Sequence, residues 1–417
     1  MRKLFIDDLP DIFYKGKRVL IRVDYNVPIK NGMIREDYRI RQTIPTIEYL
    51  SNKGAKIILI SHLGRPCGVR DPRLSLKPIA DRLLEVLNVR DVQFVDECIG
   101  KHVSYLASRL EDGEVLLLEN MRFYKEEQEN EPQFCKLFSD LADIYVNDAF
   151  SSSHRMHAST YGIPKLFDHR LGGFLVKKEI QNLNKIIKEP KRPFLCIVGG
   201  SKLKEKIAAI NSLVRHTDKI MIGGCTANPF LVAEGRSVGD SIVESDYADQ
   251  AKAILKEFGD RIMLPDDFLI QTCDDTNNLK NVYHEVHIGQ KVMDIGKDTT
   301  YYYCHQILNN KGTIFWSGPM GQFEVDEYAR GTNEIARSLS YAHWRGAHTV
   351  IGGGDTIAAI RNADVLLNEI DFVSTGGSAT LNYLAGIDLP GISILSEGVV
   401  PKKNIININY RGEAVCL

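Results

Sequence analysis

The sequence predicts an α/β fold of two lobes, each a mainly parallel sheet covered by helices on both faces. Three observations carry this. Short β-branched runs alternate with longer amphipathic stretches along the whole chain, the rhythm of βαβ units. Nearly all of these runs are apolar throughout, as strands covered on both sides must be. The runs end in charged or polar groups in the first half and in glycine pairs or triplets in the second. The 417 residues suit two or three domains, at ~150 residues per domain.

In the first half, residues 19–24, 56–62, 92–97, 114–120 and 143–148 read as strands, with amphipathic stretches at 39–53, 75–88 and 132–142. These strands finish at Asp24, His62, Glu119 with Asn120, and Asn147 with Asp148. Near 171–192 the sequence LGGFLVKKEIQNLNKIIKEPKRP runs from a Gly-Gly through a helical pattern to a proline-bounded stop. That predicts one helix joining the lobes, a hinge. Strands follow at 193–200, 219–224, 261–267, 312–319, 348–355 and 371–377, with glycines at 199–200, 223–224, 352–354 and 376–377. Open α/β sheets bind ligands beyond the carboxyl ends of their strands. Two kinds of strand ending therefore predict two ligands, one for each lobe.

Composition narrows the partners. Lys+Arg is 52 and Asp+Glu is 54, so the surface is not basic in aggregate, as nucleic-acid binding would favour. The longest apolar runs, such as IILI and VLLL, fall far short of the ~20 residues that span a bilayer. The first ten residues, MRKLFIDDLP, lack the apolar segment of an export signal. No nucleic acid, no membrane and a cytoplasmic location are the expectations. The eight cysteines are scattered without a CxxC pair, which reads as reduced, mostly buried thiols. His284 and His287 stand three apart, whereas a zinc-protease helix needs four. That segment is expected to be a polar edge.

The glycine-ended lobe has the makings of an anion site. Backbone amides at a glycine turn before a helix favour phosphate. GGSKLKEKI places Lys202 and Lys206 four apart, expected on one helical face within the first two turns. GGGDT puts Asp355 directly after three glycines. A carboxylate there suits magnesium carried by a nucleotide, because Mg²⁺ takes one or two carboxylates plus phosphate oxygens; the plain alternative is an Asp helix cap. Neither GxxxxGK[ST] nor GxGxxG is present.

The polar-ended lobe gathers cations. Arg22, Arg39, His62, Arg65, Arg122, His154, Arg155 and His157 all fall near predicted strand ends. Singly they suit surface ion pairs. Converging, they suit a compact anion, since the planar arginine fork donates two parallel bonds to carboxylate or phosphate. The residues alone thus suggest a nucleotide in one lobe and a small phosphorylated acid in the other.

RVDYNVP, SHLGRP, NDAF followed by HRMHAS, GGSKLKEKI, IGG with ANPFL, SGPMGQFE, GGGDT and VSTGGSATLNYLAG occur in this order. Together they resemble the phosphoglycerate kinase family across essentially the whole chain. The resemblance implies two Rossmann-like lobes: residues 1–171 with 405–417 binding 3-phosphoglycerate, a hinge helix at 172–191, and residues 192–404 binding Mg-ATP or Mg-ADP. It implies Asp24, Asn26, Arg39, His62, Arg65, Arg122 and Arg155 as the acid-binding set. It implies Lys202 and Lys206 on the phosphates, Glu324 on the ribose, and Gly353, Gly354, Asp355 and Thr356 at the triphosphate turn, with Asp355 the magnesium ligand. Arg39 and Lys202 are expected on the phosphoryl group in transit, steadied by Lys206 and by the helix that glycines 376–377 begin. A monomer acting on 3-phosphoglycerate and 1,3-bisphosphoglycerate is implied too.

The chain departs from the family pattern at Ser151–Ser153, Ser201, Glu205, Cys225, Thr226, Ser317, Ser378 and Asn382. Most of these fall in the nucleotide lobe, where Cys225 and Thr226 are expected to reshape the base pocket. A non-catalytic paralogue acting as sensor or scaffold is the alternative. Retention of Arg39, Lys202, Lys206 and Asp355 speaks against it.

Overall fold

A computed structural model of the chain describes residues 2–30, 32–201, 203–204, 206–272 and 275–398, with only the backbone described at 275–279. Lys202 and residues 405–417, both assigned roles above, lie outside the described residues. The chain divides into two compact units. Among the described residues, the first comprises 2–149, 155–177 and 390–398, and the second 150–154 and 178–389.

The first unit is built on strands β1 (Arg18–Val23), β2 (Lys56–Ile60), β3 (Val92–Val95), β4 (Val115–Leu118), β5 (Ile144–Asp148) and β6 (Arg170–Gly172). They form one parallel sheet in the order β3-β4-β2-β1-β5-β6. Successive side chains of a strand point to opposite faces, and both sets here are apolar. Val19, Ile21 and Val23 face one core with Ile57, Leu59, Val115 and Leu117, against Ile47 and Leu50 of the helix Tyr38–Asn52 and Ile79 and Leu83 of the helix Lys77–Val86. Leu20, Ile58, Ile60, Leu116 and Leu118 face a second core with Val103, Phe134 and Phe138. The burial pattern read in the sequence is this two-sided covering.

The second unit carries β7 (Phe194–Val198), β8 (Lys219–Ile222), β9 (Ile262–Met263), β10 (Asp267–Thr272), β11 (Asp275–Tyr283), β12 (Gln290–Ile295), β13 (Thr313–Ser317), β14 (His348–Gly352) and β15 (Phe372–Ser374). Six make a parallel sheet ordered β9-β8-β7-β13-β14-β15. The remaining three make an antiparallel sheet ordered β11-β10-β12. Two α/β units with parallel six-stranded sheets are therefore the architecture.

Three features differ from the sequence reading. The run 261–267 is not one strand. Pro265 follows β9 closely and β10 then starts in the other sheet, because proline cannot donate to a ladder. β6 is only three residues long and ends in glycine, too short to show a period. Residues 390–398 group with the first unit, whereas the sequence reading returned the chain there only after 404. Backbone pairing explains this: Glu397–Gly398 pairs antiparallel with Arg2–Lys3, and Ser396 donates its amide to the Arg170 carbonyl at 2.8 Å.

The expected hinge helix spans Phe174–Lys188, and the division between units falls after Lys177, inside it. Its first turn is anchored by Asp148, the buried last residue of β5, whose Oδ1 accepts amide hydrogens from Leu175 (3.0 Å) and Val176 (3.3 Å). Burial pushes this carboxyl up to about 7, opposed by the Thr46 hydroxyl and the two amides. The folded chain thus holds a proton that an unfolded aspartate releases near pH ~3.9. The stability this contributes is fully present below the unfolded pKa and is lost as pH rises through the folded one, by up to ~1.4 kcal/mol per pH unit. Asp148→Asn is expected to flatten the fall in unfolding free energy between about pH 4 and 7. Urea titrations at several pH values check this, and parallel curves for both proteins would refute it.

Candidate active site

Four of the six strands of the first sheet, β1, β2, β4 and β5, lead into loops at their carboxyl ends that carry the polar side chains of the site. β1 is followed by Asp24 and Asn26, and β2 by Ser61, His62 and Arg65. β4 is followed by Glu119, Asn120 and Arg122, and β5 by the loop that carries Arg155. The loops are tied together by side chains that bond backbone. Asn26 Oδ1 accepts from Gly64 N (2.9 Å), and Ser61 Oγ accepts from Tyr25 N (2.9 Å). Asn120 Nδ2 donates to the carbonyls of Leu63 (2.8 Å) and Leu74 (2.9 Å). Glu119 accepts from Ser75 Oγ (2.7 Å) and Leu76 N (2.8 Å).

Upon this frame the charges converge. Arg39, in the first turn of the helix Tyr38–Asn52, donates Nη1 to Asp24 Oδ2 (3.3 Å) and to the Asn26 carbonyl (3.0 Å). His62 Nδ1 lies 3.6 Å from Asp24 Oδ1 and 2.9 Å from Arg22 Nη2. Arg122 donates Nη1 to the Gly64 carbonyl at 2.8 Å. Burial, together with Arg155 and Arg22, pulls the Arg122 guanidinium down to about 10. Burial likewise holds the His62 imidazole well below its ordinary value, with Arg22, Arg122 and Arg155 adding to this against the Asp24 carboxylate. Stacking like charges in a buried place is unfavourable without an anion to meet them. Of the expected acid-binding residues, Asp24, Asn26, Arg39, His62, Arg122 and Arg155 come together. Arg65 sits on the β2 loop with its side chain exposed.

The second sheet's carboxyl end is made of interlocked glycine turns. Gly200 N donates to the Pro319 carbonyl (2.7 Å) and Gly224 N to the Met320 carbonyl (2.9 Å). Thr226 donates its hydroxyl to the Gly200 carbonyl (2.9 Å). The buried Thr356 hydroxyl accepts from Gly318 N (2.8 Å) and donates to the Gly352 carbonyl (2.8 Å). Beside these turns opens a cleft of about 730 Å³, lined by Gly200, Gly224, Cys225, Pro319, Met320, Glu324 and Asp355 among others. Glu324 and Asp355 thus line the same cleft. Cys225 faces the cleft, while Thr226 is buried and serves the glycine turn instead.

Two local expectations need correction. The helix after the first glycine turn starts at Ile207, with Lys206 as its N-cap, so Lys206 does not lie on a helical face beginning near Ser201. The amides of Lys206 and Ile207 both reach the Leu203 carbonyl (2.7 and 2.8 Å), and the Lys206 ammonium folds back to donate to the Gly199 carbonyl. In GGGDT the cap is Gly353, at φ +106°, and Gly354 and Asp355 open the helix Gly354–Asn362. Asp355 is exposed in the first turn, where a carboxylate beside helix amides is favoured. Gly377 is the N-cap of the helix Ser378–Leu384, at a negative φ of −93°.

Other expectations can be placed. Among the described residues, no group of three or more His, Cys, Asp or Glu side chains is arranged to hold a metal. No helix among them is long and apolar enough to cross a membrane. Six described cysteines are free thiols, of which Cys98, Cys135 and Cys196 are buried and Cys67 is exposed.

A family model described as phosphoglycerate kinase matches residues 9–387. The chain belongs to the phosphoglycerate kinase family. It is 45% identical over 405 residues to the phosphoglycerate kinase of Dictyoglomus turgidum, covering 95% of this chain and 100% of that one. It is 43% identical over 389 residues to that of Borreliella burgdorferi, covering 92% and 97%. Among solved structures it is similar to phosphoglycerate kinase from Pyrococcus horikoshii, at 31% identity with a TM-score of 0.81, and to that from Coxiella burnetii, at 32% identity. The second gives a TM-score of 0.73; both cover 94% of this chain and 98% of the other. Members of this family are kinases of glycolysis, and the chain is an enzyme of that kind.

Sequence reasoning passed over Glu127 and Ser159, which are buried beneath the cations, and left Arg22 out of the acid-binding set. Arg22 carried a signal, being a charged residue inside an otherwise apolar strand. Glu127 sits in the charged run KEEQEN, which reads as a solvated face.

Proposed function

We propose that the chain transfers a phosphoryl group reversibly between ATP and the carboxylate of 3-phosphoglycerate, giving 1,3-bisphosphoglycerate and ADP in one direction. The observation that supports this most is the buried gathering of Arg22, His62 and Arg122 around Asp24. It is a place for a compact, multiply charged acid. In this reading Asn26, Arg39, Arg65 and Arg155 complete the acid's surroundings, in the lobe that ends in polar groups.

The nucleotide belongs to the glycine-lined cleft of the second unit. Glu324 accepts from the ribose, and Gly353 and Gly354 with the Thr356-braced turn present amides to the triphosphate. The residues fit magnesium: Asp355 is an exposed carboxylate lining the cleft at the glycine turn, as suits an ion that arrives already bound to phosphate. Magnesium supplies charge neutralisation at the phosphate oxygens.

The acceptor carboxylate is ionised at neutral pH, so no general base is needed. Its oxygen attacks the γ-phosphorus as the bond to the β-phosphate oxygen breaks. Repulsion between anions is the obstacle, and fixed positive charge is the remedy. Arg39 and Lys202 serve the group in transit and Lys206 steadies the phosphates. Closure about the hinge helix excludes water from the γ-phosphoryl group. We place this activity in the cytoplasm, in a monomer.

A coupled assay tests the proposal. Turnover of 3-phosphoglycerate is expected with ATP and magnesium and is expected to vanish when magnesium is removed. Binding of both compounds without turnover would instead support the non-catalytic paralogue. Running GTP beside ATP reports what Cys225 does to base preference.

A further inference from the structure

Glu127 is buried beneath the cationic cluster. Its two oxygens are taken by one residue: Oε2 accepts from Ser159 N (2.8 Å) and Oε1 from Ser159 Oγ (2.5 Å). Ser159 Oγ in turn accepts from Arg22 Nε at 2.8 Å. Tyr145 pins the same residue by donating its hydroxyl to the Ser159 carbonyl (2.7 Å). Arg22 is thus held along its guanidinium, with Nη1 donating to the Val23 carbonyl and Nη2 meeting His62 Nδ1 at 2.9 Å.

The last contact fixes a proton. A guanidinium only donates, so the His62 Nδ1 that meets Nη2 must be the lone-pair nitrogen. A neutral imidazole with a lone pair on Nδ1 carries its hydrogen on Nε2. The surroundings keep the ring neutral: burial, Arg22, Arg122 and Arg155 all oppose a charge on it, and only Asp24 favours one. Around Glu127, burial favours the protonated acid, while Arg22, the Ser159 bonds and Arg122 favour the carboxylate.

We propose that Glu127 and Ser159 are positioning residues that lock Arg22, and that Arg22 thereby holds His62 as the neutral Nε2–H tautomer, a hydrogen-bond donor to the phosphorylated acid. This rests on the acid-binding reading above. The site then has a donor that stays constant across physiological pH, where a free histidine would change its charge.

The test reads the tautomer directly. Nitrogen-15 histidine spectra of the full chain, with His62 assigned by its loss in His62→Gln, are expected to show a single Nε2–H form. An Nδ1–H form in the unmodified protein overturns the proposal whatever the variants do. In Ser159→Ala and Glu127→Gln, the spectra are expected to show mixed tautomers. The KM for 3-phosphoglycerate is expected to rise about tenfold, as for a lost hydrogen bond to a charged group, with the nucleotide KM unchanged. An unchanged tautomer in both variants, each with a cooperative melt, overturns the relay. A shifted tautomer with an unchanged acid KM overturns the assignment of His62 to the acid while sparing the relay's geometry.

Discussion

Arg39→Ala is expected to lower turnover by ~10³–10⁵-fold, the loss typical of removing a transition-state arginine from phosphoryl transfer. Asp24 and the Asn26 carbonyl hold its guanidinium at the strand-end face, so the charge is placed before the substrate arrives. Such preorganisation is what makes a fixed charge effective, because nothing has to rearrange at the moment of reaction. The effect should fall on kcat, since an interaction made with the migrating group strengthens only as that group leaves the donor. The nucleotide KM should stay near that of the unmodified protein. Arg39→Lys should recover only part of the rate, because an ammonium cannot reproduce the planar fork. Steady-state kinetics with each substrate varied would settle this, and an alanine variant within tenfold of the parent would remove Arg39 from the transfer step.

Gly318→Ala is expected to cost the second unit about 3 kcal/mol and to weaken nucleotide binding with it. Gly318 sits at φ +92°, a conformation that side chains disfavour, and an added Cβ would lie 2.3 Å from the Gly199 carbonyl oxygen. The neighbour is backbone and has little room to yield. Its own bonds resist movement: its amide donates to Thr356 and its carbonyl accepts from Trp316 Nε1 at 2.8 Å. A shift here would reach both glycine turns that Pro319 and Met320 hold. Urea unfolding together with the nucleotide KM would measure both effects. A variant within ~0.5 kcal/mol of the parent, the range of ordinary surface changes, would show that the turns can slide apart.

The parts of the fold that were legible share a cause. β1, β2, β4, β5, β7, β13 and β14 are buried on both faces, and such strands advertise themselves as continuous apolar runs between polar or glycine stops. The antiparallel sheet of β10 to β12 escaped because its polar run of Asn, Lys and Gln carries no such signature. The site was legible where side chains stand at strand ends, as Asp24 and His62 do. It was illegible where its support comes from elsewhere: Glu127 and Ser159 are 32 residues apart, and Ser159 reaches Arg22 across 137. Lys206 misled for another reason. A four-residue spacing specifies a helical face only inside a helix, and a glycine turn delayed the helix until Ile207.

The pairing of Glu397–Gly398 with Arg2–Lys3 has a consequence for biogenesis. A ribosome releases the amino-terminal strand first and its partner almost four hundred residues later. The opening lobe must therefore wait, its margin unsealed, while the whole of the other lobe is translated. Splitting the gene at the midpoint would orphan that closing strand, and a fragment ending at residue 177 should regain it only when the missing stretch is supplied as a separate peptide.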